Sequence, residues 1–274
     1  MKTAFIQELI EQARKRPELF LIVSDMGYSV VEPFFEAFPD RYLNVGIAEQ
    51  NMASIAAGLA SEGYHVFTYS NTPFRCLEQI RNDIAYPGHP VTSVSVGGVA
   101  QDYAIMRCLP GMTIAAPGDP LETRAVVRWL CEHPGPSYLR LWKAGGPVFH
   151  ATLPAVEPGR SLPVLPPVEN PRGLFLTTGA ALSYAMEAAS SPELQGAWAV
   201  HSLPIWSETV KPAVAETLAA LPIPVISIED HLTAGGFGSY LRETLTDQAS
   251  LKTISGATAD LTPAKLVEAA LSSL

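Results

Sequence analysis

Short apolar runs alternate with stretches of helical period along most of this chain. Residues 19–23, Leu-Phe-Leu-Ile-Val, are apolar throughout and stop at Ser24-Asp25-Met26-Gly27. A parallel strand buried on both faces, ending at its ligand-facing edge, reads this way. The pattern predicts further strands over 42–45, 65–69, 91–96, 112–116 and 137–141, separated by helices that start at Glu49 and span 75–85, 102–109 and 121–131. Before the first run, Phe5, Ile6, Leu9 and Ile10 recur at helical spacing among Lys2, Glu8, Glu11 and Arg14. That is an amphipathic soluble helix and no signal peptide. Over 143–172 the texture changes, with Pro147, Pro154, Pro158, Pro163, Pro166, Pro167 and Pro171 set among small residues, which predicts a stiff, extended linker. Alternation then resumes, with strands over 174–178, 197–203, 225–229 and 251–254 and helices over 180–189, 208–221, 237–245 and 263–271. The fold class is therefore α/β: two doubly wound, mostly parallel-sheet domains at 1–142 and 173–274, joined by the linker 143–172.

At 274 residues each half can bury its own core. A hydrophobic content of 47% against 16% charged residues adds the expectation of a large buried interface. The formal charge of −9 argues against nucleic acid or an anionic membrane surface as partner. Cys76, Cys108 and Cys131 are widely spaced and form no C-x-x-C pair, so neither a disulfide framework nor a zinc site is indicated, and a reducing cytoplasm fits. No apolar run approaches the 18 or so residues of a membrane span.

Candidate chemistry concentrates at Asn44-Val-Gly-Ile-Ala-Glu-Gln-Asn-Met52, where Gly46 allows a tight turn and Glu49 opens a helix carrying the stripe Met52, Ile55, Ala56 and Leu59. Taken alone, Glu49 reads first as a helix-dipole acid worth roughly 0.3–1 kcal/mol. Its context changes that reading. The phrase from Asp40 to Met52, followed by Ile55-Ala-Ala-Gly-Leu-Ala60 and Arg75-Cys-Leu-Glu-Gln-Ile-Arg-Asn-Asp83, resembles the pyrimidine-binding region of transketolases. The likeness is to the C-terminal subunit of transketolases split into two chains. Ala115-Ala-Pro-Gly-Asp-Pro120 with Glu122, Pro134-Gly-Pro-Ser-Tyr-Leu-Arg-Leu141, and Ile228-Glu-Asp-His231 followed by Gly235-Gly-Phe-Gly-Ser239 extend it nearly end to end.

The resemblance implies thiamine diphosphate chemistry in which one carboxylate, matched here by Glu49, hydrogen-bonds N1′ of the cofactor's pyrimidine. It implies an aromatic wall for that ring, matched by Phe74 with Tyr69 as the second choice, cofactor contacts from Asp25 and Met26, and a substrate contact from Ser29. The family holds the diphosphate through Mg²⁺ (or Ca²⁺) with a Gly-Asp-Gly motif and a downstream Asn. This sequence carries no such motif. The implied partner is thus an N-terminal subunit with the diphosphate-binding domain, in an α2β2 assembly that transfers a two-carbon ketol unit from a ketose (phosphate) to an aldose. Three alternatives remain open: a 1-deoxyxylulose-5-phosphate synthase-like subunit, a 2-oxoacid dehydrogenase E1 β-type subunit, and a non-catalytic stabilising chain. The glycine cluster at 235–238 lacks the third glycine of a dinucleotide motif and suggests close packing at a helix start. His201 and His231 read as capping or core residues. The segments Asn71-Thr-Pro-Phe-Arg75 and Gly98-Val-Ala-Gln101 are shorter than their family counterparts. Divergence toward another acceptor and omission of mobile loop residues both account for that, and sugar and phosphate recognition stay unassigned.

Overall fold

A computed structural model describes residues 1–274 apart from 71–72, 98–99, 144, 165–167, 220–222, 246–250, 256–260 and 274. In chain order the elements are α1 (Lys2–Ala13), β1 (Leu19–Val23), α2 (Glu32–Ala37), β2 (Tyr42–Asn44), α3 (Glu49–Ser61), β3 (His65–Ser70), α4 (Leu77–Gln79), β4 (Val91–Val96), α5 (Asp102–Met106), β5 (Thr113–Ala115), α6 (Pro120–Glu132) and β6 (Ser137–Leu141). They continue with β7 (Leu162–Pro163), β8 (Gly173–Thr177), α7 (Ala181–Ala189), β9 (Trp198–Ser202), β10 (Ile205–Trp206), α8 (Lys211–Ala219), β11 (Val225–Glu229), α9 (Phe237–Thr244), β12 (Leu251–Ser255) and α10 (Pro263–Leu271). Among the described residues no helix is long and apolar enough to cross a membrane.

The apolar runs form two mainly parallel sheets, as their composition predicts. Seven strands order as β10-β5-β6-β4-β3-β1-β2 and five as β12-β11-β8-β9-β7. In the larger sheet β1 has β2 on one side and β3 on the other, so the chain leaves it in opposite directions. Such a reversal opens a crevice at the carboxyl ends of the strands, where α/β proteins bind ligands.

Five details depart from the sequence pattern. The helix expected over 75–85 is a 3₁₀ turn (Phe74–Cys76), the short α4 and a π-helical stretch (Ile80–Ala85). The wider π turn keeps Ile80, Ile84 and Ala85 together on the buried face. The helix over 102–109 stops at Met106, and the one over 208–221 begins as a 3₁₀ turn. Within the proline-rich stretch, β7 pairs antiparallel with β9. Finally, β10 leaves the second half of the chain to pair antiparallel with β5, Ile205 opposite Ala115 and Trp206 opposite Ile114.

That last pairing joins the two halves. Trp206 is fully buried, with its ring 5.5 Å from Tyr103, 5.4 Å from Phe237 and 4.8 Å from Tyr240. The Gly235–Gly238 cluster lies at this contact: a Cβ on Gly235 would stand 2.6 Å from that of Ala104, and Arg107 donates from Nε to the Gly235 carbonyl at 2.8 Å. In the second sheet, a Cβ on Gly173 would meet the Trp198 ring at 2.5 Å. Gly173→Ala is therefore expected to destabilise by about 1–3 kcal/mol through overpacking, read as a lowered midpoint in denaturant unfolding with an unchanged slope.

Candidate active site

Glu49 is placed by the sequence immediately before it. After β2 the chain turns at Gly46 with φ +73°, a left-handed conformation that glycine adopts without strain, and α3 begins three residues later. The Glu49 side chain is 8% exposed, and its Oε1 accepts a bond from Arg75 Nη1 at 2.8 Å. Arg75 is 60% exposed and lies in the same 3₁₀ turn as Phe74. Phe74 is 43% exposed, which rules out a core Phe in this chain. Beneath them a void of about 10 Å³, lined by Met52, Thr68, Cys76, Ser93 and Ser95 among others, has room for one water at most. Burial, with Glu49 nearby, pushes the Cys76 thiol up to about 12, so it takes no part as a nucleophile at neutral pH.

Asp25 and Met26 follow β1 at the crevice. Asp25 and Ser29 both adopt positive φ (50° and 61°), a strained arrangement for non-glycine residues of the kind stored at functional sites. Together with Lys2, Tyr69, Val96 and Lys143, Asp25 and Met26 line a groove of about 340 Å³ at the strand ends. Tyr69 is buried, and burial raises its hydroxyl to about 12, so it forms a wall and not an ionisable group. Ser29 lies outside the groove, its N–H donating to Glu32 Oε1 at 2.8 Å. Asn44 connects the two loops: its Oδ1 accepts from Asp25 N at 3.1 Å and from Gly46 N at 2.9 Å. Asn44, Arg75, Lys2 and Lys143 also stand at the candidate site, and sequence reasoning missed them. For Arg75 and Asn44 the signal was present, since both stand in the matched phrases. Of the shortened segments, 71–72 and 98–99 lie outside the described residues.

Two buried polar clusters hold the two halves of the chain together. Asp102, fully buried at the start of α5, accepts from Tyr138 Oη and Arg140 Nε at 2.8 Å each, and Arg140 Nη1 reaches Asp230 Oδ1 at 2.6 Å. His231, fully buried, stacks on Tyr103 at 5.1 Å, and burial depresses its basicity. His201 is bonded to Ser161 at 3.0 Å and is likewise depressed by burial. Both histidines sit in packed, hydrogen-bonded positions.

The second cluster gathers the Asp119-Pro120 turn, Glu122, His150 and Ser202. Asp119 caps α6 by accepting from Glu122 N at 2.7 Å, and also takes His150 Nδ1 at 3.0 Å. Glu122 Oε2 accepts from Gly118 N at 2.7 Å and from Ser202 Oγ at 3.0 Å, while Glu122 Oε1 and His150 Nε2 face each other at 3.7 Å without a hydrogen bond. Burial raises the Glu122 carboxyl to about 7. Burial disfavours charge on His150, but the bond to Asp119 and the Glu122 charge outweigh it and raise its pKa. Both groups hold protons more tightly folded than unfolded, so the share from Glu122 is full below its ordinary 4.5 and is lost as pH rises to about 7, and the share from His150 is full below its ordinary 6.5 and is lost as pH rises above that. Asp119, held down to about 2, acts oppositely: its share is full above its ordinary 3.8 and is lost as pH falls toward 2. Thermal midpoints are expected to fall between pH 5.5 and pH 8 by about 2–4 °C per kcal/mol lost. Glu122→Gln should flatten that slope; an equally steep slope in the variant would contradict the assignment.

A crevice at a strand-order reversal, one nearly buried acid behind a glycine turn and an exposed aromatic in the facing turn make up a candidate site that opens on the surface of an α/β chain. The family model for the transketolase pyrimidine binding domain matches residues 1–147, and the chain belongs to the transketolase family. A putative transketolase C-terminal section from Methanocaldococcus jannaschii is 30% identical over 266 residues, covering 89% of this chain and 81% of that protein. One of the subunits of an apulose-4-phosphate transketolase from Phocaeicola vulgatus is 30% identical over 268 residues, 90% of this chain and 83% of that protein. The 1-deoxy-D-xylulose-5-phosphate synthase of Desulfotalea psychrophila is 31% identical over 90% of this chain, which spans only 41% of that longer protein. A solved split-gene transketolase, described as an inactive β4 tetramer, superposes with a TM-score of 0.85 at 29% identity, covering 99% of this chain and 96% of that one.

Proposed function

We propose that this chain is the pyrimidine-side subunit of a two-chain transketolase, moving a two-carbon ketol unit from a ketose, commonly a ketose phosphate, to an aldehyde acceptor. The observation that carries the reading is Glu49: a carboxylate 8% exposed at the crevice, whose bonded side chain among the described residues is the exposed Arg75. An acid so placed fits the pyrimidine end of thiamine diphosphate. Bound, the cofactor supplies the carbon nucleophile through its thiazolium and its own amino group. Glu49 would hold and exchange the proton at the pyrimidine N1′, and Phe74 would supply a flat apolar wall. Asp25 and Met26 would orient cofactor and substrate from the adjoining groove, with Ser29 at its approach. The ammonium groups of Lys2 and Lys143 suit a phosphate ester there.

Around this site Tyr28 is 92% and Ile47 74% exposed, an apolar rim of the kind covered by a partner. We assign the diphosphate and its Mg²⁺ or Ca²⁺ to that partner, an N-terminal subunit in an α2β2 enzyme of the cytoplasm, because the Gly-Asp-Gly motif is missing here. The Phocaeicola relative, itself named as a subunit, and the split-gene neighbour support a two-chain enzyme. The test is ketol transfer from xylulose 5-phosphate to ribose 5-phosphate by the reconstituted pair. Turnover of pyruvate as donor in its place would favour a 1-deoxyxylulose-5-phosphate synthase-type subunit, the second reading, which rests on the 31% identity to such an enzyme. Tight, magnesium-dependent cofactor binding by this chain alone would contradict the half-site.

A further inference from the structure

A cationic groove lies on the helical face formed by α1 and α6. At its base the Glu8 side chain is fully buried and accepts Arg124 Nε at 3.0 Å, Arg128 Nε at 3.0 Å and Gln12 Nε2 at 2.8 Å. Burial opposes the Glu8 charge, but these three bonds outweigh it and hold the carboxyl below its usual range. For packing alone the arrangement is uneconomical, because apolar side chains join two helices at least as well as a buried ion cluster.

Its effect is to fix two guanidinium groups one helical turn apart, where like charges repel. Each is used through Nε only. Their Nη edges, the forks that clasp carboxylates and phosphates, make no hydrogen bond to the other described residues, and the side chains are 38% and 41% exposed. With Arg14 and Lys15 they line an open groove of about 480 Å³ that also includes Gln7, Ile10 and Glu11. Four cations against Glu8 and Glu11 leave the groove positive on a chain whose formal charge is −9. Arg14 bonds Glu11, so that carboxylate is already engaged.

Two forks about 6 Å apart along a helix face are more than one planar carboxylate can meet, whereas a tetrahedral phosphate offers oxygen edges to both. The groove volume falls within the roughly 300–1,000 Å³ of small-molecule sites. It is also a different groove from the one at the strand ends, which takes Lys2 from the start of α1 and shares no lining residue with it.

We propose that the α1–α6 groove binds a small phosphate-bearing ligand, its phosphate seated between the Nη edges of Arg124 and Arg128. The site is separate from the crevice and does not depend on the function assigned to it.

The test is a titration of the full chain with inorganic phosphate, read on the ¹H–¹⁵N Nε resonances of Arg124 and Arg128, which report this groove and not the strand-end one. Both should shift saturably, and chloride at matched ionic strength should leave them in place. Arg124→Lys/Arg128→Lys, which retains charge opposite Glu8 and removes the forks, should weaken phosphate by roughly tenfold or more, read in that variant on the Nε resonance of Arg14 in the same groove. Arg14→Ala/Lys15→Ala, which leaves the partners of Glu8 intact, should weaken it severalfold. Tighter binding of ribose 5-phosphate or ADP than of inorganic phosphate would identify an organic phosphate as the ligand; equal affinity would identify the free ion. Nε resonances that do not move overturn the proposal, as does unchanged affinity in a folded double-lysine variant. If that variant fails to fold, the Arg14→Ala/Lys15→Ala chain decides, and unchanged affinity there overturns it.

Discussion

Glu49→Gln in the assembled enzyme is expected to lose turnover by at least about 10²-fold, the lower end of what a positioned acid–base group contributes, while leaving assembly intact. Glutamine retains the volume and can still accept the Arg75 Nη1 bond, so the turn after β2 and the start of α3 should keep their form. Removing a first-turn acid costs about 0.3–1 kcal/mol of helix-dipole interaction, too little to unfold a chain of this size. What the amide cannot do is exchange a proton with a ring nitrogen. Steady-state turnover of the reconstituted pair, with gel filtration as the control for assembly, separates the outcomes. Full activity in the variant would return Glu49 to a structural role and leave the chain a stabilising subunit.

Arg140→Met should be the most damaging single change for stability. Arg140 bonds Asp102 at 2.8 Å and Asp230 at 2.6 Å, and its guanidinium lies 4.6 Å above the Tyr103 ring. Burial alone pushes the Asp230 carboxyl up, and Arg140 draws it partly back. Methionine fills the space but leaves two carboxyl groups facing each other without a counter-ion. Breaking a buried pair in this way costs about 3–5 kcal/mol, which corresponds to a melting point lowered by roughly 6–20 °C. Calorimetry measures it directly. Adding Asp230→Asn to Arg140→Met should recover part of the loss, because one of the stranded charges is gone. A loss under about 1 kcal/mol would mean that water reaches the cluster and the ion pair does not hold the halves together.

Both predictions concern residues whose types the sequence displayed and whose partners it did not. The acid behind Gly46 was placed at a helix start by local strand, turn and helix signals, and its candidate role was implied by the matched phrase from Asp40 to Met52. The Arg75 contact to Glu49 was not, being a pairing across 26 positions from a turn that the helical pattern had smoothed over. Phe74 was chosen for its place in the loop just before the matched phrase at Arg75, but its exposure followed only from the 3₁₀ turn that breaks the expected helix. Similarly, Asp119 and Glu122 stood in a motif, while their use as a clasp on His150, 31 positions away, and on Ser202, 80 positions from Glu122, could not be inferred from it.

By itself the sequence determined the two α/β halves, the positions of most strands and the acid at the crevice, because backbone periodicity and apolar burial act over a few residues at a time. The tertiary structure decided the rest: that β10 crosses to the first sheet, that Asn44 joins the β1 and β2 loops, that Arg140 meets Asp230 across 90 positions, and that Glu8 fixes two arginines from another helix. Such pairings depend on which of many similar polar side chains the chain path brings within 3 Å or so. That choice belongs to the packed fold and leaves no periodic trace in the sequence.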